Sequence, residues 1–222
     1  MTMPLSRRLA SEFLGTAFLL TAIVGSGIMG ERLANGNFAI ALLANSIATG
    51  AALVALILAL SSISGAHFNP VVSFASAFQG TLRWSDVPLY VAVQIAGATL
   101  GVLAAHLMFG LPAFFVSQHA RSGHAQIFSE GIATFGLLLT IACCSKFHSS
   151  ATPYAVGAYI TGAYWFTSST SFANPAVTLA RSLSNTFAGI RPDDVPGFLL
   201  GQATGLVIAV LFSRWLLVPV RE

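Results

Sequence analysis

The sequence predicts an all-α membrane protein: six transmembrane helices and two re-entrant half-helices arranged as an inverted repeat. Three observations carry this fold class: long stretches without charge, two Asn-Pro steps inside apolar sequence, and landmarks that recur in the same order. Only 8% of the 222 residues are charged and 55% are apolar, against roughly 25% charge in an average soluble domain. No Asp, Glu, Lys or Arg occurs between Arg32 and Arg83, between Asp86 and Arg121, or between Lys146 and Arg181. Each gap is long enough for a helix to cross a hydrocarbon core of about 30 Å, which needs roughly 20 apolar residues. A soluble fold of this size could not cover so much apolar surface, and a mean hydropathy of +0.80 excludes disorder. The net charge of +3 therefore points to Arg concentrated on one membrane face and not to nucleic acid.

The first span, residues 9–29, follows Ser6-Arg7-Arg8. That run resembles a twin-arginine or cleaved leader, but Glu12 interrupts the apolar stretch and uncleaved sequence is expected. The second span is 38–60. An apolar stretch around Asn69-Pro70 then fits no complete crossing. Spans three, four and five cover 87–110, 125–145 and 151–167; the fifth is short, with Pro153 suited to its first turn. A second incomplete stretch surrounds Asn174-Pro175, and span six covers 195–217. An Asn-Pro step disfavours helix before it and starts helix after it, because the missing proline N–H is harmless at the first helical position. Each step thus predicts a half-helix beginning inside the membrane, tolerated only where protein or a water-filled cavity surrounds it. The adjacent Cys143 and Cys144 predict packing residues, with no disulfide.

Self-similarity organises these elements. Ser11-Glu12-Phe13-Leu14-Gly15-Thr16 is echoed by Ser129-Glu130-Gly131-Ile132-Ala133-Thr134. Phe68-Asn69-Pro70-Val71-Val72-Ser73 is echoed by Ala173-Asn174-Pro175-Ala176-Val177-Thr178, and Gln94-Ile95-Ala96-Gly97 by Gln202-Ala203-Thr204-Gly205. Three spans per half is an odd number, so the second half inserts upside down, and the site is expected near the midplane where broken helices meet. The chain reads as one domain, 1–222, with repeats at about 1–110 and 125–222 joined by loop 111–124.

The two Asn-Pro-small motifs, the run Ser64-Gly65-Ala66-His67-Phe68-Asn69-Pro70, and a Glu early in spans one and four resemble the aquaporin (major intrinsic protein) family. The resemblance runs essentially end to end and implies an aquaporin-like right-handed bundle. At the midplane it places Asn69, Pro70, Val71, Asn174, Pro175 and Ala176. Half-helix N-termini carry unpaired N–H groups and roughly half a positive charge, so two facing each other repel cations. Asn69 and Asn174 can cap their helices through the side-chain oxygen and still offer amide N–H groups to a passing hydroxyl.

Glu12 and Glu130 are expensive carboxylates inside spans. The resemblance implies that they hold irregular loops; proton relay is the competing reading. His67 stands as a pore-lining residue or as a loop-folding hydrogen bonder. Gly97-xxx-Gly101, Gly197-xxx-Gly201 and Gly201-xxx-Gly205 permit close helix contact.

The resemblance further implies a narrow filter on the outer side of the Asn-Pro motifs. Counting back from Asn69 gives Thr49; counting back from Asn174 gives Gly162 and Ser171, with Phe172 beside it. The position three beyond Asn174, usually arginine in the family, is Val177. Small residues at Thr49 and Gly162 and no arginine at Val177 predict a wide opening. Arg181 lies one turn outward on the same face; it either stands in for that arginine or anchors at the surface, and surface anchoring is the favoured expectation.

The expected function is a passive channel for small neutral solutes: water, glycerol-like polyols, arsenite and methylated arsenicals, as in the arsenical-conducting bacterial aquaglyceroporins that the pattern resembles. The alternatives are a water-selective pore, a coupled transporter, which would want convergent ionisable groups at the midplane, and a non-conducting structural protein, which would want plugging residues in the filter. With no phosphate loop, metal cluster or nucleophile arrangement, neither an enzyme nor a cofactor or metal is expected. Six Lys/Arg against four favours both termini on the cytoplasmic side of a bacterial inner membrane; the six are Arg7, Arg8, Arg83, Lys146, Arg214 and Arg221. The resemblance implies a homotetramer in contact with membrane lipid.

Overall fold

The computed structural model describes residues 3–217, and Arg221, counted above for orientation, lies outside the described residues. Among the described residues the regular structure is helical. The elements are α1 (Leu5–Leu33), α2 (Phe38–Ser64), α3 (Pro70–Phe78), α4 (Val87–Met108), α5 (His124–Phe147), α6 (Thr152–Phe166), α7 (Pro175–Arg181) and α8 (Val195–Leu217).

Local chemistry sets the ends. Asn37 caps α2 by accepting from the Ala39 and Ile40 N–H groups, and Gly65, at φ 93°, ends it in the left-handed conformation that glycine adopts without strain. Asn69 and Asn174 cap α3 and α7, with Pro70 and Pro175 at the first helical position. Five helices are long and apolar enough to cross a membrane. Among the six expected crossings the exception is α6, whose 15 residues extend only about 22 Å at a rise of 1.5 Å each. The chain 167–174 carries on from its end as non-helical backbone leading into the protein to Asn174.

Large apolar side chains such as Leu14, Phe18, Ile47, Leu58, Leu200, Leu211 and Trp215 are exposed on the outside of the bundle, as a hydrocarbon solvent demands. Inside, α1 packs on α2 and α4, α5 on α8, and α2 on α6. The half-helices interlock the two sets: α3 packs on α4 and α8, α7 on α8 and α4, and the two touch each other. Close approach depends on glycine where a Cβ would strike backbone, at Gly97 against the Phe13 carbonyl and at Gly201 against the Ile127 carbonyl.

At the end where α7 finishes, the chain folds over itself. Ser117 N–H donates to the Ser182 carbonyl at 2.9 Å and Arg191 N–H to the His119 carbonyl at 2.8 Å. Fully buried His106 bonds the Ala113 carbonyl and the Ser184 hydroxyl, at 2.9 and 2.8 Å, and ties the same two segments to α4.

Candidate functional site

The site is assembled from two matching networks. Glu12 accepts from the backbone N–H groups of His67 and Phe68, at 2.9 and 2.7 Å, and from Gln94 Nε2 at 2.9 Å. Glu130 accepts from those of Phe172 and Ala173, both at 2.9 Å, from Gln202 Nε2 at 2.6 Å and from Ser169 Oγ at 2.7 Å. Each glutamine also donates to a half-helix hydroxyl, Gln94 to Ser73 and Gln202 to Thr178. Both carboxylates are fully buried, and these donors repay the desolvation that an unpaired buried charge would suffer.

The consequence for the pathway follows from peptide geometry. Ala66 and Phe68, and Ser171 and Ala173, hold φ near +50°. With the N–H groups after Ala66 and His67 pinned to Glu12, the planar trans peptide turns those two carbonyls the opposite way. Ala66 and His67 line the interior cavity, as does Ser171 of the second loop. The His67 ring bonds the Ser73 and Ser76 hydroxyls at 3.0 and 3.2 Å, so its side chain also braces the loop.

At the centre, Asn69 Nδ2 donates to the Ala173 carbonyl and Asn174 Nδ2 to the Phe68 carbonyl, both at 2.8 Å. The side-chain oxygens do the capping, Asn69 Oδ1 for Val71 N–H and Asn174 Oδ1 for Ala176 and Val177 N–H. Each amide has two N–H bonds; one crosses to the other half, and both residues line the cavity. Of the remaining midplane candidates, Val71 packs with Val72, Ala75, Leu138 and Val210. Ala176 is buried in the main core, and neither Pro70 nor Pro175 lines the cavity.

The cavity has a volume of about 940 Å³. It runs from Arg8, Ser61 and Arg83 past the two asparagines to Thr49, Tyr164, Ser171, Val177 and Arg181. Its lining combines apolar side chains of α2 and α6, Leu53, Ile57, Val156 and Ile160 among them, with the loop residues Gly65, Ala66, His67 and Ser171. No residue of 111–123 or 182–191 lines it, so it ends at the level of Tyr164 and Arg181.

Two of the filter positions reached by counting, Gly162 and Phe172, need correction, and so does the surface placement expected for Arg181. Gly162 is exposed and does not line the cavity. Thr161 and Trp165 face α2, bonding the Ser46 carbonyl and hydroxyl, while Tyr159 faces α5, bonding the Ala133 carbonyl. The cavity face of α6 is therefore Val156, Ile160 and Tyr164, at four-residue spacing, which puts Gly162 on the outside. Tyr164, missed in the sequence, reaches the wall and its hydroxyl lies 3.2 Å from Thr49 Oγ1.

Arg181 does not anchor at the surface. It is 1% exposed, because residues 183–190 fold over the end of α7: its Nε donates to the Ala188 carbonyl and its own carbonyl accepts from Ile190 N–H. Its guanidinium carbon lies 3.4 Å from the centre of the Phe172 ring. Phe172, in turn, is buried behind the wall, edge-on to Phe198, and does not line the cavity. Ser171 and Val177 do line it.

Arg121, also missed, supports this end from outside. Its side chain donates to the carbonyls of Gly189, Ser169 and Phe187, and burial lowers its pKa to about 10. Among the described residues neither Arg121 nor Arg181 pairs with a carboxylate.

A helical membrane bundle whose solute-sized interior passes two Asn-capped half-helix N-termini is a channel scaffold. The chain belongs to the major intrinsic protein family, whose model matches residues 1–162. It is 54% identical over 217 residues to Aquaglyceroporin AqpS of Rhizobium meliloti (strain 1021), covering 98% of this chain and 93% of that protein. It is 30% identical over 213 residues to Aquaporin NIP1-4 of Oryza sativa subsp. japonica, covering 91% and 76% respectively. Its fold is similar to the X-ray structure of the aquaglyceroporin from Plasmodium falciparum, with a TM-score of 0.74 at 23% identity over 96% of this chain and 95% of that one.

Proposed function

We propose that the chain is a passive transmembrane channel for small uncharged solutes: water, glycerol-like polyols and undissociated arsenous acid, with methylated arsenicals at the upper end of the size range. It is read as one domain of two inverted repeats, about 1–110 and 125–222, assembling as a homotetramer in lipid with both termini cytoplasmic. The observation that carries this reading is the make-up of the cavity wall. Among the described residues it contains no Asp or Glu, and the permanent charges on it, Arg8, Arg83 and Arg181, are all positive. The buried carboxylates Glu12 and Glu130 are committed to loop N–H groups instead. A cation-coupled transporter needs the reverse arrangement, with ionisable acceptors on the pathway.

The polar side of the wall suits hydroxylated solutes. The asparagine amides donate, the loop carbonyls accept, and the apolar side takes the carbon backbone of a polyol. One observation favours the second reading, a water-selective pore: Tyr164 occupies wall space that glycine would have left open. Uptake of water, glycerol, arsenite and methylarsenicals by vesicles carrying the wild type or Val177→Arg separates the two. Val177 lines the cavity one turn below Arg181, so a second guanidinium there reduces the larger solutes more than water. Equal loss of all solutes contradicts Val177 as a wall residue, and wild-type vesicles passing only water establish the second reading.

A further inference from the structure

We infer that an anionic phospholipid seats in the seam between α3 and α8, its phosphate held by Arg214 and Lys146 and an acyl chain lying against Phe74, Phe78 and Leu211.

The repeat locates the seam. The offset that relates Gln94 to Gln202 also relates His106 to Arg214. His106, on α4, is fully buried and bonds the Ser184 hydroxyl just beyond the end of α7. Arg214, on α8, does the matching task for the other half-helix: its Nη2 donates to the carbonyl of Phe78, the last residue of α3, at 2.7 Å. The two positions differ in what covers them. Ala113 and Phe115, in the connection between the two halves, lie against the His106 ring. That connection occurs once in the chain, and Arg214 is exposed.

Charge and surface specify the occupant. Lys146, at the end of α5, is also exposed and donates to the Leu217 carbonyl, so it stands at the same last turn of α8. Among the described residues neither cation pairs with a carboxylate. Each contacts a helix C-terminal carbonyl, where positive charge is favourable. A guanidinium has five N–H donors and an ammonium three, so donors remain for a phosphate, which arginine matches with paired bonds. The surface beside them is apolar. Phe74 and Phe78 are exposed one turn apart on α3; the Arg214 guanidinium lies 5.8 Å from the centre of the Phe78 ring, and Trp84 meets that ring edge-on at 4.8 Å. On α8, Val207 and Leu211 are exposed at seven and three residues before Arg214, hence on its side of the helix. Cations at a membrane face with an apolar wall running from them toward the hydrocarbon fit a lipid headgroup and its chain, and not a soluble anion or a peptide. Through this site α3 is held at one end by Asn69, on the solute pathway, and at the other by a residue that binds lipid.

The test is tryptophan quenching by brominated lipids in vesicles carrying the full chain. Its tryptophans are Trp84, Trp165 and Trp215, so Trp165→Phe with Trp215→Phe leaves Trp84, beside the seam, as the reporter. At a low fraction in phosphatidylcholine vesicles, brominated phosphatidylglycerol is expected to quench Trp84 as though enriched roughly twentyfold over brominated phosphatidylcholine, the preference of about two basic side chains for an anionic lipid. Arg214→Gln keeps a donor for the Phe78 carbonyl and removes the charge, so the enrichment falls about fivefold; Arg214→Lys retains it. Lys146→Gln, which leaves the end of α3 untouched, lowers it by a similar factor and keeps the test open where Arg214→Gln fails to fold. Equal quenching by the two lipids, or an enrichment that folded Arg214→Gln and Lys146→Gln leave intact, overturns the inference. Enrichment abolished by inorganic phosphate assigns the cations to a soluble anion instead, and enrichment that arises only in a chain ended at Leu217 assigns the seam to residues 218–222.

Discussion

Asn69 donates its side-chain Nδ2 to the backbone carbonyl of Ala173, 2.8 Å away and 104 residues further along the chain. Asn174 returns the same bond to Phe68. Asp at either position keeps the capping oxygen and loses the donor, setting a carboxylate against a carbonyl. Asn69→Asp is expected to cost about 1–3 kcal/mol, the range for a buried group left without its partner, and to place negative charge where half-helix N-termini repel cations. Thermal unfolding in detergent should fall by several degrees, and potassium leak in vesicles should rise. A cap-only role for Asn69 predicts neither change.

Replacing Glu130 by Gln separates loop support from proton relay. The carboxylate accepts four hydrogen bonds; an amide presents a donor to at least one of those donors. The expected loss is about 3 kcal/mol, or roughly 6–12 °C in Tm at the usual 2–4 °C per kcal/mol for a chain of this size. Solute flux per folded channel should show no dependence on a proton gradient before or after the change. A wild-type flux driven by that gradient and lost in Glu130→Gln would establish the relay.

Close helix contact makes a graded set of glycine predictions. At Gly101 an added Cβ would sit 2.7 Å from Leu20 Cβ and collide with the Ala17 carbonyl; at Gly205 it would sit 2.9 Å from Thr134 Cβ and press on the Gly131 carbonyl. Backbone cannot step aside cheaply, so Gly101→Ala and Gly205→Ala should each cost about 1–3 kcal/mol. Gly197→Ala meets only the end of the Ile127 side chain, at 3.0 Å, and should be milder. Detergent unfolding curves for the three variants give the order.

Gly162→Leu tests which face of α6 meets the solute. The nearest atom to an added Cβ is Phe166 Cε1 at 3.9 Å, and the cavity is not within reach. Glycerol flux should stay within about twofold of wild type, well inside the tenfold that 1.4 kcal/mol represents. A block comparable to filling the pore would return Gly162 to the wall.

Much of this molecule is legible in its sequence. Charge-free stretches locate the long helices to within a few residues, as 38–60 against Phe38–Ser64 and 195–217 against Val195–Leu217 show. Asn-Pro marks the half-helices because capping and proline's preference for the first turn are local effects. The repeat flags Glu12 with Glu130 and Gln94 with Gln202 before any contact is known. What fails is the choice of face. On α6 nearly every position is apolar or small, so hydropathy does not distinguish the side facing solute from the side facing lipid, and a fixed count from Asn174 lands on Gly162. Arg181 reads as a surface anchor because a half-helix end suggests exposure; only the return of residues 183–190 over it, through Ala188 and Ile190, makes it an interior charge. Arg121 carries no sequence signal at all, since its partners are carbonyls from distant loop positions.

The most direct test of the central claim is stopped-flow glycerol permeability of vesicles carrying the wild-type chain, with proton and sodium gradients collapsed by ionophores. A passive channel with an Asn-lined, carboxylate-free pathway predicts glycerol entry well above protein-free vesicles and unaltered by the ionophores. Entry equal to that of protein-free vesicles, or entry that vanishes when the gradients are collapsed, would contradict it.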